Sequence, residues 1–520
     1  MITTHENAPD FTHLLTTNTI PSQHDRNTIH NTLSSIDKDV SQAEIDIARV
    51  KKVLEERVKD HAALIQRRAS LWAVVSPLRQ LPLEIFGLIF AYATLDDRRF
   101  PISASHVCRL WRQASLASSD LWTTIWIENR CQKEYVALFI QRSQSRPLSL
   151  KYSRNFPLDS LPDISTFLPD VGCDYQWKEI HVHVSWDNLP KLLSKSWDTL
   201  ESLVLSTFKE SRDRDLHLAS ATRLKRLTII RDNMSKVYYH VVELPCHGLT
   251  HLNLDIGIKP PYEIISILSE CGNLEEFVLT LTEPVMLNQS AQPQTPAYLP
   301  NLRKLHLHTR ALDHLVKWLA TPVVKDLLLD PMCRWMDFRW RDKSVIKFIN
   351  ASKLTLRKFS IYMVSGLGLE VVVMLKGMKG LSEFMVVGND DFDWEDLEAM
   401  IVKDRGTVTA TSGDTDDENI DKKRNEILLP NLEVLHVICK TDFSVQKAFL
   451  DVVRSRWWPE NDSRDTGMAR LKTASLQSIS TSERLAFGAE VDDIRRQGFD
   501  IKMLEPQGLL EGQEVDWVVD

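Results

Sequence analysis

Histidines, carboxylates, cysteines and serines do most enzymatic chemistry, and this chain places them at few usable spacings. His181 and His183, and His306 and His308, stand two residues apart. On a strand each pair projects from one face, where two imidazoles can begin a zinc site. No third histidine, cysteine or aspartate stands at a matching position, so both pairs read as solvent-facing strand histidines. His247 and His251 are four apart but straddle the boundary of a sequence repeat and would not share a helix face. Gly366 and Gly368 lack the third glycine and the lysine of a phosphate cradle, and Ser365 has Met363 rather than glycine two positions before it. Asp390 with Asp391, and Asp416 with Asp417, sit in polar loop sequence, where carboxylates are solvated rather than poised for proton transfer. The seven cysteines, at 108, 131, 173, 246, 271, 333 and 439, are odd in number and contain no Cys-x-x-Cys pair. The expectation is a chain that is not an enzyme, with no metal and no cofactor, in a reducing cytoplasmic or nuclear setting.

What remains is surface, and an internal repeat is what would position it. A Leu-x-x-Leu-x-Leu unit, with other apolar residues sometimes replacing Leu, starts at Leu200, Leu224, Leu249, Leu274, Leu302, Val324, Leu356, Leu381 and Leu432. Successive starts are 24, 25, 25, 28, 22, 32, 25 and 51 residues apart. The last two apolar residues of each unit alternate, as on a short strand with one face inward, and the chain then returns as a helix or turn. Apolar stripes at Ile264, Ile267 and Leu268, at Leu315, Trp318 and Leu319, at Val345, Phe348 and Ile349, and at Val371, Met374 and Leu375 predict return helices. One unit cannot bury its apolar side alone; stacked units make a continuous core. This pattern resembles an irregular leucine-rich-repeat solenoid. It departs from the regular family three residues beyond the strand, where Asn or Cys is expected and only Asn389 fits. Side chains that alternate with the buried ones should line the concave face, and they are candidates for binding a target protein: Arg226, His251, Asn253, Glu276, Lys304, His306, Asp326 and Lys358.

Ahead of the repeats, Ser76 to Ile127 concentrates apolar residues. It opens Leu-Pro-Leu-Glu-Ile-Phe at Leu81 to Phe86, continues Val-Cys-Arg-Leu-Trp-Arg at Val107 to Arg112, and closes Leu-Trp-Thr-Thr-Ile at Leu121 to Ile125. Pro82 suits a first helical turn and Glu84 the positive end of that helix. Ile85, Leu88 and Ile89 share one stripe, flanked by Leu81 and Phe86 and extended by Phe90 and Tyr92. A second helix is expected to carry Val107, Leu110, Trp111 and Ala114, and a third to pair Leu121 with Trp122. Three short helices with so much apolar area suit a docking module that completes its core on a partner. The three motifs in this order resemble an F-box of the form found in fungal F-box-like proteins, with Asp96 to Ile102 replacing the usual Asp-Leu segment. The resemblance implies docking on the Skp-type adaptor of a cullin-RING ubiquitin ligase through Leu81, Pro82, Ile85, Ile89, Val107, Cys108 and Trp111.

The rest of the chain frames these two regions. Residues 1–32, polar and without period, are expected to be disordered. Residues 33–75 carry apolar residues at alternating spacings of four and three from Ile36 through Val40, Ala43, Ile47 and Val50 to Leu54, the seam of a coiled coil or of a helix packed on another helix. Lys51, Lys52, Glu55 and Glu56 would be its solvated face. The expected organisation is then an F-box-like domain at 76–127, a leucine-rich-repeat-like domain at 128–505 with a flexible insertion at 403–426, and an acidic tail at 506–520. This makes an α/β chain: a long helix, a three-helix module and an irregular solenoid. With 63 Lys and Arg against 71 Asp and Glu, the net charge of -8 gives no pull toward nucleic acid or an anionic membrane. No apolar run reaches membrane-spanning length and no leader is evident, so Asn-x-Ser matches at Asn233, Asn288, Asn350 and Asn461 read as chance. The sequence therefore points to a substrate-recognition subunit of a cullin-RING ligase, the alternative being a leucine-rich-repeat scaffold unconnected with ubiquitin.

Overall fold

The computed structural model describes residues 12–17, 19–127, 133–152, 175–185, 197–208, 214–218, 220–231, 239–256, 261–281, 295–332, 343–362, 374–388, 401, 428–439, 443–457, 468–478 and 488–504. The expected insertion at 403–426, the tail at 506–520 and the pairs Asp390/Asp391 and Asp416/Asp417 lie outside these residues, as do Ser365, Gly366 and Gly368. The chain divides into two compact units, Met1–Ile89 and Phe90–Asp520.

The first unit is dominated by helix α1, Gln23–Val74, which begins well before the expected start at Leu33. Ser22 explains the early start. Its hydroxyl accepts from the Asp25 N–H, while the Asp25 carboxylate accepts from the Ser22 N–H, so two orphan donors of the first turn are satisfied. Residues 23–32, expected to be disordered, are thus helical, and Thr12–Thr16 forms one further helical turn. No residue of α1 is buried, so among the described residues its apolar seam stays uncovered. Helix α2, Leu83–Asp96, follows a 3-10 turn at Pro77–Gln80 and runs from the first unit into the second. Among the described residues, no single helix is long and apolar enough to cross a membrane.

In the second unit the expected helix around Val107 to Ala114 is instead two, α3 at Phe100–Val107 and α4 at Arg109–Ala117. Cys108 breaks them with an extended backbone, φ -156° and ψ 173°. Side chains lock the corner. Arg112 Nε donates to the Ser105 carbonyl at 2.7 Å, Ser115 Oγ to the Pro101 carbonyl at 3.1 Å, and Trp122 Nε1 to the Ser115 carbonyl at 2.8 Å. The expected third helix is a 3-10 turn, Ser119–Trp122, that leads directly into a strand.

That strand, β1 at Thr124–Ile127, is the edge of a fourteen-stranded sheet laid down in chain order, every neighbouring pair parallel. The boundary expected at 127/128 is therefore bridged by a sheet pairing. The strands that matter below are β2 Leu148–Tyr152, β3 Trp177–Ser185, β4 Ser202–Phe208, β5 Arg226–Arg231, β6 His251–Ile256, β7 Glu276–Leu281, β8 Lys304–Thr309, β9 Asp326–Asp330, β10 Lys358–Tyr362, β11 Glu383–Val387, β12 Val434–Cys439, β13 Thr473–Ser478 and β14 Asp500–Leu504. Register is held by the repeat. Leu203, Leu227, Leu252, Phe277, Leu305, Leu327, Phe359, Phe384 and Leu435 are aligned partner to partner, and all are buried.

The units at Leu224, Leu249, Leu274, Leu381 and Leu432 start with the same turn, in which the leucine N–H bonds the carbonyl three residues earlier; Leu356 instead bonds the Ser352 carbonyl, four residues back. The chain then steps across, for the Thr250 carbonyl accepts from both Glu275 and Glu276, and the Glu275 carbonyl from both Arg303 and Lys304. A side-chain ladder reinforces the step. Asn273, Asn301 and Asn431, each just before the first apolar residue of its unit, donate to the carbonyls of His247, Gly272 and Lys379, while Thr199 and Thr355 donate to Trp177 and Val324. At Gly248 the chain passes so close to the preceding unit that a Cβ would lie 3.1 Å from the Leu224 carbonyl. Helices α5 Pro261–Glu270, α6 Lys343–Ser352 and α7 Phe443–Arg456 bury Ile264, Ile349 and Phe449 between units. The stripe at Leu315, Trp318 and Leu319 does not form one helix. Leu312–Val316 is helical, but Leu319–Ala320 pairs with Ala297–Tyr298 as a short parallel strand.

Candidate functional site

Two surfaces stand out, one on helices and one on the sheet. Along α2, residues at helical spacing stay uncovered: Ile85 is 40% exposed, Leu88 60% and Ile89 45%, with Tyr92 and Leu95 more open still. Helices of folded chains normally turn such a stripe inward. The opposite side of α2 does so, since Phe86 and Phe90 are buried. Of the other residues expected at an adaptor contact, Pro82 is exposed and Leu81 half-buried. In the second unit, Val107 is 60% exposed and Cys108 exposed beside it, because the break between α3 and α4 turns both outward. Trp111 is half-buried, with its ring 5.1 Å from that of Phe90. Leu95, which the expected stripe ending at Tyr92 leaves out, lies one further helical step of three residues beyond Tyr92.

The sheet face turned away from the core gathers the eight residues expected to meet a target. Arg226, His251, Glu276, Lys304, Asp326 and Lys358 are successive partners in one row across β5 to β10, and Asn253 and His306 belong to the next row. From Glu276 through Lys304, Asp326 and Lys358 to Glu383 the first row alternates in sign. His251 Nε2 lies 3.5 Å from Glu276, Lys304 Nζ 3.8 Å from the same carboxylate, and Lys358 Nζ 2.7 Å from Glu383 on β11. His306 Nε2 reaches Asp326 at 3.1 Å from the neighbouring row, and Arg226 Nε approaches Ser202 Oγ at 3.5 Å. Opposite charges placed directly across parallel strands stabilise one another and leave the row near neutral.

The ladder extends beyond the expected residues. On β3, Glu179 meets Lys151 Nζ at 2.7 Å and His181 Nε2 at 3.1 Å. The His181 hydrogen bond, helped by Lys151 and opposed by burial, holds its carboxyl down to about 2. Glu383 raises Lys358 above the ordinary lysine value through their hydrogen bond. On β12, burial lowers His436, whose Nδ1 lies 2.7 Å from Ser475 Oγ. A third row, with His308 Nδ1 3.1 Å from Asp330 and its ring 6.3 Å from that of Tyr362, was readable by counting two further residues along each strand.

The histidine spacings thus resolve into carboxylate pairs: His306 and His308 each face a different aspartate. The side chain of His183 lies outside the described residues. His247 is on the turn Cys246–Gly248 and His251 on a strand. Among the described residues, no group of three His, Cys, Asp or Glu side chains is arranged to hold a metal ion. The chain is an α/β protein with a long N-terminal helix and one large parallel sheet whose outer face is a charged ladder. No protein-family model matches it, and no curated protein matches it.

Proposed function

We propose that this chain is the substrate-recognition subunit of a cullin-RING ubiquitin ligase of the Skp-cullin-F-box type, and that its C-terminal part is an irregular leucine-rich-repeat solenoid. The observation that carries the reading is the uncovered apolar stripe of α2, which starts at Ile85, the last residue of the Leu-Pro-x-Glu-Ile motif, and runs on beyond it. Apolar side chains that a helix leaves in water are a standing cost of about 25 cal/mol per Å² of area, recovered when a partner covers them. In this reading Leu81, Pro82, Ile85 and Ile89 meet the Skp-type adaptor, as do Val107, Cys108 and Trp111. The repeating turn, the buried first leucines and the Asn/Thr ladder support the solenoid reading, since each unit finishes its core on the next.

The sheet ladder is the target surface. A neutralised row of alternating charge gives little general attraction, and it selects a protein segment that offers opposite charges in the same register. The ligase subunit performs no bond chemistry; it raises the local concentration of target beside the charged enzyme. The test is a pull-down of the full chain with a purified Skp-type adaptor, the wild type against Leu81→Ala with Pro82→Ala. Retention of the wild type and loss of the variant, with unchanged circular dichroism, is the expected result. Equal retention of both, or of neither, removes the ligase reading.

A further inference from the structure

Helix α1 carries an apolar track that the function above does not use. From Ile29 to Leu54 it follows the four-three alternation of a coiled-coil seam. Continued rigidly, that alternation falls on Arg57, His61 and Arg68. Steps of four from Leu54 through Val58 to Ala62 bypass all three and re-enter apolar sequence at Ile65, Ala69 and Trp72, a local unwinding of the kind that inserted turns produce. The track spans 44 residues, Ile29 to Trp72, on a helix with no buried residue, about 65 Å at the rise of an α-helix. Val50, Leu54, Val58 and Trp72 are all more than half exposed.

We propose that α1 pairs with α1 of a second copy of this chain as an antiparallel two-helix coiled coil, its two-fold axis beside Val50. Side-chain size and charge both select that partner and that direction. With the axis at Val50, Ile47 opposes Leu54 of the other copy, Ala43 opposes Val58, Ile36 opposes Ile65 and Ile29 opposes Trp72, so each layer is apolar and each small residue meets a larger one. A parallel pair would stack Ala43, Ala62 and Ala69 on themselves and leave voids, which close-packed interfaces avoid. Charge agrees. Gln23–Ala48 holds five carboxylates against two Arg and Lys, whereas Arg49–Val74 holds three against seven. Antiparallel helices set the acidic half of one along the basic half of the other; parallel helices oppose like halves. The seam exceeds the three to four heptads that a coiled coil needs. The proposal stands independently of the ligase reading.

The full chain at micromolar concentration, measured by size-exclusion chromatography with light scattering, should show twice the 59.8 kDa of one chain. Ile47→Asp with Leu54→Asp should halve that mass while the helical circular dichroism persists. Direction is read by cross-linking with a short bis-maleimide in a Cys108→Ser background. Ile29→Cys mixed with Trp72→Cys should cross-link, and neither variant alone should do so above the background chain. A monomeric wild type overturns the proposal, and so does a dimer in which each single-cysteine variant links to itself.

Discussion

Consider Leu88 and Phe90, two residues apart on the same helix and predicted to respond oppositely to truncation. Leu88 is 60% exposed, and Phe90 is fully buried, with its ring 5.4 Å from Phe100 and 5.1 Å from Trp111. Full burial of a leucine side chain is worth about 1.5–3 kcal/mol, so the covered two-fifths of Leu88 contributes roughly 1 kcal/mol or less. Glutamine has nearly the helix propensity of leucine and adds no backbone cost. Leu88→Gln should therefore destabilise the chain by about 1 kcal/mol at most. Phe90→Ala loses its transfer energy and leaves a cavity, costing about 3–5 kcal/mol. Urea unfolding of the full chain, followed by far-ultraviolet circular dichroism and tryptophan fluorescence, separates the two midpoints. A Leu88→Gln variant as unstable as Phe90→Ala would show that the stripe belongs to the chain's own core, and the case for a surface kept free for a partner would fail.

Four further outcomes follow from the sheet. Lys358→Glu sets a third carboxylate between Asp326 and Glu383 and should cost about 1 kcal/mol; adding Glu383→Lys should restore most of it in a double-mutant cycle. Asn301→Ala removes the 3.2 Å bond to the Gly272 carbonyl and should lower stability by about 1 kcal/mol, whereas Asn301→Asp should not rescue it, because a carboxylate cannot donate. Since burial lowers His436, the unfolded chain takes up that proton first. Its contribution is complete above pH 6.5 and is lost as pH falls below it, a slope that His436→Gln should abolish in pH-dependent melts. Glu179 acts in a lower window: its contribution is complete above the ordinary 4.5 and is lost as pH falls toward 2.

Periodicity made most of the sheet readable in advance, since a Leu two residues from another Leu, every twenty-odd residues, has few other physical uses. It failed where a different residue did the same job. Trp122 and Trp177 begin units that end on Ile125 and Ile127 and on Ile180 and Val182, and Leu471 begins one through Ala474, yet none reads as Leu-x-x-Leu-x-Leu at first sight. The stabilising asparagines stand before the strand, at Asn273, Asn301 and Asn431, rather than beyond it where the regular family carries them. Their function, closing the gap between successive units, is local hydrogen bonding that hydrophobic patterns do not record. Helix ends were hidden for the same reason: the Ser22–Asp25 box and the break at Cys108 are backbone events. Of the candidate surfaces, the row from Arg226 to Lys358 followed directly from strand alternation. Its cross-strand pairing did not, because it depends on which units are neighbours and in what register.

The claim on which the function rests is that α2 exposes its apolar stripe for an adaptor. Isothermal titration of the full chain with a purified Skp-type adaptor tests it, using Ile85→Asp with Ile89→Asp as the variant and Lys304→Ala with Lys358→Ala as the control. The account predicts one-to-one binding by the wild type and the control and at least tenfold weaker binding by the α2 variant. No heat from the wild type, or equal affinity of the α2 variant, would contradict it.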